Sequence, residues 1–458
     1  MQIPALKLIQ KIIMRTVQSR FFVAALSCAV LIPSAVSAET LLDVYLLSKQ
    51  NDPKYLAMRA EYEATSFGVK EARAGLLPQV AYIYGRTNTN QNIVSSENAV
   101  FASGQASYPT NDRTLSISQP VFRLAAWRNW QQSKASEKQA AAAYAAAEQD
   151  LIVRTATAYM AVLAAQDALA FAKGEQESIK RQLLLASEKF KSGQAIRVNL
   201  YDAEARSALK QSDVIAAEND LADKIQALHE LTGMVTPTLT PLPRSVPLVM
   251  PEPQSVDEWV SSALQKNLLI EARKQAVEVA NRELDKRKAG YYPTVDLAIS
   301  RNQRTTGGSL FGGGSSVNTN DVMFRVNIPI YEGGATSAQT GAAAARYRAA
   351  QQDLERDRRQ VERQARAAYQ GVVSGKVRVE ALSKSVEALE GARQLKDEGY
   401  KAGVSTLLGV LDAERDLYAV RRDAAQSRYD YQINTLRLKQ AAGTLSEEDL
   451  LNISKAMQ

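Results

Sequence analysis

The sequence predicts a mostly α-helical chain that carries a transmembrane β-barrel portion, built as two internal structural repeats. Three observations predict it. Two very long stretches keep helical periodicity without a proline, four short segments alternate apolar and polar residues, and both features occur twice in the same order.

The long stretches come first. Residues 125–191 hold no Pro and only Gly174, and apolar or small residues recur at three- and four-residue steps, as in Leu151, Thr155, Ala158 and Val162. At 1.5 Å per residue such a helix approaches roughly 100 Å. Residues 335–399 repeat it. Their run ERDRRQVERQAR interleaves acids with arginines, as a solvated helix face does. The alanine-rich stretch QAAAAYAAAE, residues 139–148, lets helix backbones approach closely. Shorter helices are expected before each strand region, starting at Asp52-Pro53 and near Asn267. Others follow a glycine turn, over 199–230 and 406–442, and could stack end to end with the first set beside the long helices.

Four strands are expected near 78–90, 112–124, 293–305 and 320–332. Val295, Leu297 and Ile299 alternate with Asp296, Ala298 and Ser300, and Val322, Phe324, Val326 and Ile328 alternate with Met323, Arg325 and Asn327. Each is about the 9 to 11 residues that span a bilayer at a tilt. A long polar or Gly-rich loop joins each pair, as at the outer ends of a membrane barrel. Aromatic residues gather near the junctions: Tyr82, Tyr84, Phe122, Trp127, Trp130, Tyr291, Tyr292 and Tyr331. Singly each reads as packing, but the cluster reads as an interface girdle. Four strands cannot close a barrel in lipid, because an open edge strands N–H and C=O groups in hydrocarbon. A homotrimer would complete a twelve-stranded barrel with a lumen, whereas a dimer would leave only a small, filled one.

The duplication is legible in landmarks. AGLLPQV at 74–80 recurs as AGYYPTV at 289–295, SQPVF at 118–122 as NIPIY at 327–331, and LTG at 231–233 as AAG at 441–443. FKSGQAIRVNLYDAEA at 190–205 matches YKAGVSTLLGVLDAER at 400–415. The expected organisation is a first repeat over 39–236, a Pro-rich link over 237–254 and a second repeat over 255–458. Residues 1–38 have the order of a secretory signal: Lys7, Lys11, Arg15 and Arg20, then FFVAALSCAVLI, then small residues before Glu39. Translation from Met14 would give a leader of more usual length. A lipoprotein reading, with Cys28 acylated, is the lesser alternative.

Composition narrows the function. With one Cys and one His in 458 residues, no cofactor or metal centre is expected, and His229 reads as a helix-end residue. Removing the leader lowers the formal charge from +7 to about +3, so nucleic acid is not an expected partner. No catalytic triad, phosphate loop or metal motif is present, and Glu447-Glu448 reads as a helix start; the chain is not expected to be an enzyme. A pore-free, secreted coiled-coil scaffold or adaptor is the rival reading. It accounts for the helices but not for strand pairs of bilayer length.

Four landmarks in register carry a resemblance across the whole chain after the leader: Asn51-Asp52-Pro53, Leu77-Pro78 or Tyr292-Pro293 entering the strands, the run IPIYEGG at 328–334 leaving them, and the paired glycine turns. The chain resembles TolC-family outer-membrane factors. The resemblance implies a homotrimer with a barrel in the outer membrane of a Gram-negative bacterium and a helical tunnel through the periplasm. It implies export of small toxic compounds, type I protein secretion, or both. The implied partners are outer-membrane lipid, a periplasmic adaptor and an inner-membrane transporter of the ABC, RND or MFS type.

Gly193-Gln194-Ala195 and Gly403-Val404-Ser405 would be adaptor-docking tips, with small residues that leave backbone approachable. Asp412 would form a carboxylate ring at a periplasmic gate, with Asp202, a Tyr400 latch, and Arg197 paired to Asp412 or Asp202. Three places where such chains carry further charges are here Gly409, Ser405 and Asn199.

Overall fold

The computed structural model describes residues 38–95, 104–234, 238–243, 248–308 and 313–457. The expected leader through residue 37, with Met14 and Cys28, and parts of the link at 237 and 244–247 lie outside the described residues. From Glu39 onward the chain forms one compact unit.

The first half contains α1 (Leu41–Asn51), α2 (Pro53–Ala74), β1 (Gln79–Ile93), β2 (Gly104–Phe122), α3 (Leu124–Lys191) and α4 (Arg197–Thr232). The second contains α5 (Val256–Lys266), α6 (Leu268–Lys288), a 3-10 turn (Ala289–Tyr291), β3 (Thr294–Thr306), β4 (Ser315–Asn327), α7 (Ala335–Lys401), α8 (Leu407–Ala441) and α9 (Glu447–Met457). Helices α3 and α7, of 68 and 67 residues, run the length of the body. In the half next to the strands, α2 and α6 flank α3, and α6 also packs on α7; in the other half α4 and α8 take over those places.

Short polar residues set the starts of α2 and α6. Asp52 accepts a hydrogen bond from the Tyr55 amide at 2.9 Å, with Pro53 as the first helical residue. Asn267 accepts from the amides of Leu269 at 3.0 Å and Ile270 at 3.3 Å and donates to the Ala441 carbonyl, tying α6 to the end of α8.

All four strands form one antiparallel sheet in the order β1-β2-β3-β4, so the two repeats meet where β2 pairs with β3. The ends differ from the expected ones. β2 starts at Gly104 and β4 at Ser315, earlier than 112 and 320, because their first residues are mostly polar or small, with Tyr108, Pro109 and Val317 isolated among them, and give no alternation to read. β4 stops at Asn327 rather than 332. Pro329 lacks a ladder donor, and Gly333 and Gly334 adopt φ of 64° and 84° to turn the chain into α7.

The main core lies midway, around α1, where Leu41, Val44 and Tyr45 pack with Leu151, Tyr159 and Met160 of α3, Leu228 of α4 and Leu436 of α8. Leu239 and Leu242 of the link join this core, and Tyr159 donates to the carbonyls of Glu39 and Thr240 at 3.0 and 2.8 Å. A charged clasp holds α9 here. Lys49 reaches Glu148 at 2.6 Å and Glu447 at 2.5 Å, and the Tyr45 hydroxyl donates to Glu447 at 3.1 Å. Those hydrogen bonds hold the Glu447 carboxyl below its ordinary range.

Asp52 is 2% exposed and meets Arg154 of α3 at 2.7 and 3.2 Å while capping α2. Asp52→Ala removes a cap and leaves a half-buried guanidinium short of a partner, at about 2–4 kcal/mol; Asp52→Asn keeps the cap oxygen and costs less. Denaturant unfolding of the detergent-solubilised protein should rank them wild type, Asn, Ala; equal midpoints for the two variants would contradict the capping role.

Candidate functional site: hairpin tips and strand face

The two helical hairpins, α3–α4 and α7–α8, end in turns of the same geometry. In the first, the amides of Gln194 and Ala195 donate to the Lys189 carbonyl at 2.8 and 3.1 Å; in the second, those of Val404 and Ser405 donate to the Gly399 carbonyl at 2.8 and 3.1 Å. Gly193 and Gly403 adopt φ of 73° and 80°, and a Cβ on either would meet no other atom within 4 Å. The left-handed backbone, not lack of room, therefore requires glycine. Around the turns apolar residues are exposed among basic ones: Val404 is 83% exposed, Ile196, Val198 and Leu408 are exposed beside it, and Lys191, Arg197 and Lys401 are exposed as well.

Just inside the tips, a small core of Ile179, Ala186, Ala203, Tyr400, Leu407, Val410 and Leu411 joins the hairpins. Polar contacts cross between them around it. Lys189 lies 4.0 Å from the Tyr400 ring centre, the Gln182 amide donates to Asp397 at 3.2 Å, and Ser178 donates to buried Glu414 at 2.5 Å. Burial raises the Tyr400 hydroxyl above its usual range. Burial also pushes Asp397 up, but hydrogen bonds from Lys401 and Gln182 outweigh it and hold the carboxyl below the ordinary range.

The four sequence-expected gate residues do not form one network. Asp412 on α8 pairs with Arg206 on α4 at 2.9 Å and lies 3.7 Å from Arg415. Arg197 does not reach Asp412 or Asp202; its guanidinium lies 5.8 Å from the Phe190 ring, folded over its own hairpin. Asp202 is exposed, without an ion pair among the described residues. Arg206 had a signal in the sequence, standing one helical turn beyond Asp202 and so on the same face of α4. The Asp412 carboxylate is 37% exposed, so its pair with Arg206 stabilises by no more than about 1 kcal/mol and is suited to opening.

Among the described residues no helix is long and apolar enough to cross a membrane. The sheet has the faces for it. Val80, Tyr82, Tyr84, Leu115, Ile117, Leu297, Ile299, Val322, Phe324 and Val326 share one face by register. Along β2 and β3 that parity is the more exposed one, so the face is convex. The opposite, concave face carries mainly small and polar residues, with Ile83, Ile93, Tyr108, Val317 and Met323 the larger exceptions. Asn302 donates to Thr114 there at 2.8 Å, and Thr110 to Thr306 at 3.0 Å. Of the expected interface aromatics, Trp127 and Trp130 stack edge to face at 5.0 Å at the start of α3, Tyr291 and Tyr292 precede β3, and Tyr331 follows β4. Tyr82 instead sits within the apolar face of β1, beside Leu115.

A convex apolar strand face on helices of about 100 Å defines an outer-membrane channel protein that extends into the periplasm. The Outer membrane efflux protein family matches residues 44–234 and 259–444, and the chain belongs to that family. It is 30% identical to Outer membrane protein TolC of Vibrio cholerae, over 93% of this chain and 95% of that protein. It is 28% identical to the Proteases secretion protein PrtF of Dickeya chrysanthemi, over 95% of each chain. The fold is also similar to the crystal structure of the Campylobacter jejuni CmeC outer membrane channel, with a TM-score of 0.76 at 15% identity over 92% of this chain and 90% of that one. The rival reading as a pore-free scaffold is not favoured, and the family is one of channels rather than enzymes.

Because φ rather than space demands Gly403, Gly403→Ala should destabilise its turn by about 1 kcal/mol, speeding amide exchange over residues 399–406 about fivefold. Exchange elsewhere should not change; an unaltered turn would show that the left-handed backbone is not what selects glycine there.

Proposed function

We propose that the protein is the homotrimeric exit duct of an envelope-spanning export machine, passing small toxic compounds, secreted proteins or both from the periplasmic side to the cell exterior. The observation that carries this reading is the open-edged sheet. Among the described residues β1 and β4 each pair on one side only, so a single copy would leave two rows of backbone groups unsatisfied in lipid. Three copies would close them into a twelve-stranded barrel, and the helices continuing from the strands would then enclose a tunnel. The likeness to PrtF, named for protease secretion, supports protein cargo, and the efflux family supports small molecules.

The tips are the docking end. The turns Gly193-Gln194-Ala195 and Gly403-Val404-Ser405, with exposed Ile196, Val198 and Leu408, offer apolar contacts to a periplasmic adaptor that brings in an inner-membrane transporter of the ABC, RND or MFS type. Behind them, Asp412 from each copy forms the periplasmic gate, with Arg206 masking part of its charge and Lys189 holding Tyr400 against the neighbouring hairpin. Opening separates α7–α8 from α3–α4 and breaks these weak contacts first. The aromatics at the helix-to-strand junction mark the inner boundary of the membrane.

In planar bilayers the mature trimer, whose mass should be three chains, should conduct and be blocked by divalent cations from the tip side. Asp412→Asn should weaken that block, whereas Arg206→Ala, which unmasks the carboxylate, should strengthen it. Equal block in all three proteins would remove Asp412 from the gate.

A further inference from the structure

On the convex face of the sheet, the apolar band ends at one side in a row of arginines. The first polar residue beyond it on each strand, going away from the helices, is Arg86 on β1, Arg113 on β2, Arg301 on β3 and Asn320 on β4. Arg86 stands two residues past Tyr84, Arg113 two before the partner of Arg86, and Arg301 two before the partner of Arg113; Arg301 pairs with Asn320. The boundary thus climbs four residues along the strands while crossing three strand spacings. At about 3.4 Å per residue and 4.8 Å per strand, that is a diagonal of about 45°. Barrel strands tilt by about 35–45°, so a diagonal of this slope becomes a level ring at one height in the membrane.

The ring is cationic and unpaired. All three arginines are exposed, and none forms an ion pair among the described residues. Arg113 touches only an aromatic face, its guanidinium 6.0 Å from the Tyr84 ring centre. By register, the convex face of the four strands carries no acid: Asp112, Asp296 and Asp321 all have the opposite parity, where Arg304 approaches Asp112 at 3.8 Å. Asn111, Gln303, Asn318 and Asn320 surround the arginines with neutral hydrogen-bonding groups.

We infer that Arg86, Arg113 and Arg301 form a binding belt for the phosphate groups of lipids in the outer leaflet. The inference rests on the outer-membrane reading of the sheet, which puts the convex face in lipid and the side away from the helices at the cell exterior. The chemistry is specific. A guanidinium fork donates two parallel hydrogen bonds to phosphate oxygens, and at the edge of the hydrocarbon it does so in a medium of reduced dielectric. Nothing on this face would repel the anion. The apolar band beside the belt, from Tyr84 and Leu115 down to Val80 and Ile299, receives the acyl chains of the same lipid. Three cations per copy, interrupted only by Asn320 on β4, give the trimeric barrel an annulus of phosphorylated lipid.

The test uses the purified trimer in phosphatidylcholine vesicles doped with phosphatidic acid or with diacylglycerol of the same chains, with bound lipid counted by native mass spectrometry after extraction. Wild type should retain phosphatidic acid roughly tenfold over the uncharged lipid. Arg86→Gln, Arg113→Gln and Arg301→Gln combined should abolish that preference, Lys at the three positions should restore part of it, and Arg325→Gln on the concave face should leave it intact. Millimolar inorganic phosphate should not displace the lipid. Absence of a preference in the wild-type trimer overturns the inference without any variant, as does loss of lipid to inorganic phosphate or equal loss on Arg325→Gln. The same vesicles report conductance, so a conducting trimer without lipid preference refutes the belt alone, whereas a protein that neither assembles nor conducts refutes the channel.

Discussion

The structure depends on what becomes of the outer edges of β1 and β4. Both lie at the ends of a four-stranded sheet with an apolar convex face, and neither has a partner among the described residues. In water such edges would be solvated. Against hydrocarbon each unsatisfied group costs several kcal/mol, so the sheet is stable in a membrane only when further copies complete it. That requirement reaches the helices, because each strand continues into one: α2 leads into β1, β2 into α3, α6 through the 3-10 turn into β3, and β4 into α7. Closing the sheet therefore brings helices from several copies side by side. A long alanine-rich stretch in α3 is suited to such lateral packing, since small residues allow close approach.

Stability is graded along the body. At the middle, a continuous core around Leu41, Tyr45, Leu151 and Tyr159 is reinforced by the Asp52–Arg154 pair and the Lys49 clasp on α9, and it joins α1 and α9 to α3, α4 and α8. At the tips the core is smaller and the contacts across it are exposed ion pairs, one cation over a ring, and single hydrogen bonds. The proposed opening at the tips, in a duct that stays assembled, would use that gradient. Glu414 is the exception: it is 1% exposed, held by Ser178 at 2.5 Å and facing Arg393 at 3.5 Å. Separating α8 from α3 at that level exposes a carboxylate to a new partner or to water, so the motion is expected to pivot there.

Features that depend on local chemistry were legible in the sequence. The Asp52 and Asn267 caps, the uninterrupted long helices and the glycine turns follow from neighbours within a few residues, and the structure has them at or near the expected positions. The strands were legible only where one face is apolar. The polar starts of β2 and β4 are held by backbone pairing to β1 and β3, which leaves no side-chain pattern. Helix α5 was missed for a similar reason: it is short, and Trp259 and Val260 acquire their meaning only by packing on α7 and α8. The partner of Asp412 was only partly legible: Arg206 shares a helical face with Asp202, but the pairing is chosen across two hairpins. Arg206 and Arg197 lie on one helix, and only the packing of α4 near α8 decides that the former reaches the acid. Tyr82, expected among the junction aromatics, lies within the apolar face because the strand carries it there.

Amide hydrogen exchange on the strands of the trimer in lipid tests the central claim most directly. Within one chain β2 and β3 are paired on both sides, whereas every second residue of β1 and β4 points its backbone groups at an open edge. If neighbouring copies close the barrel, those outward-pointing amides of β1 and β4 should be protected as strongly as the amides of β2 and β3. If they exchange freely while β2 and β3 stay protected, the sheet ends where the single chain ends, and the closed barrel is contradicted.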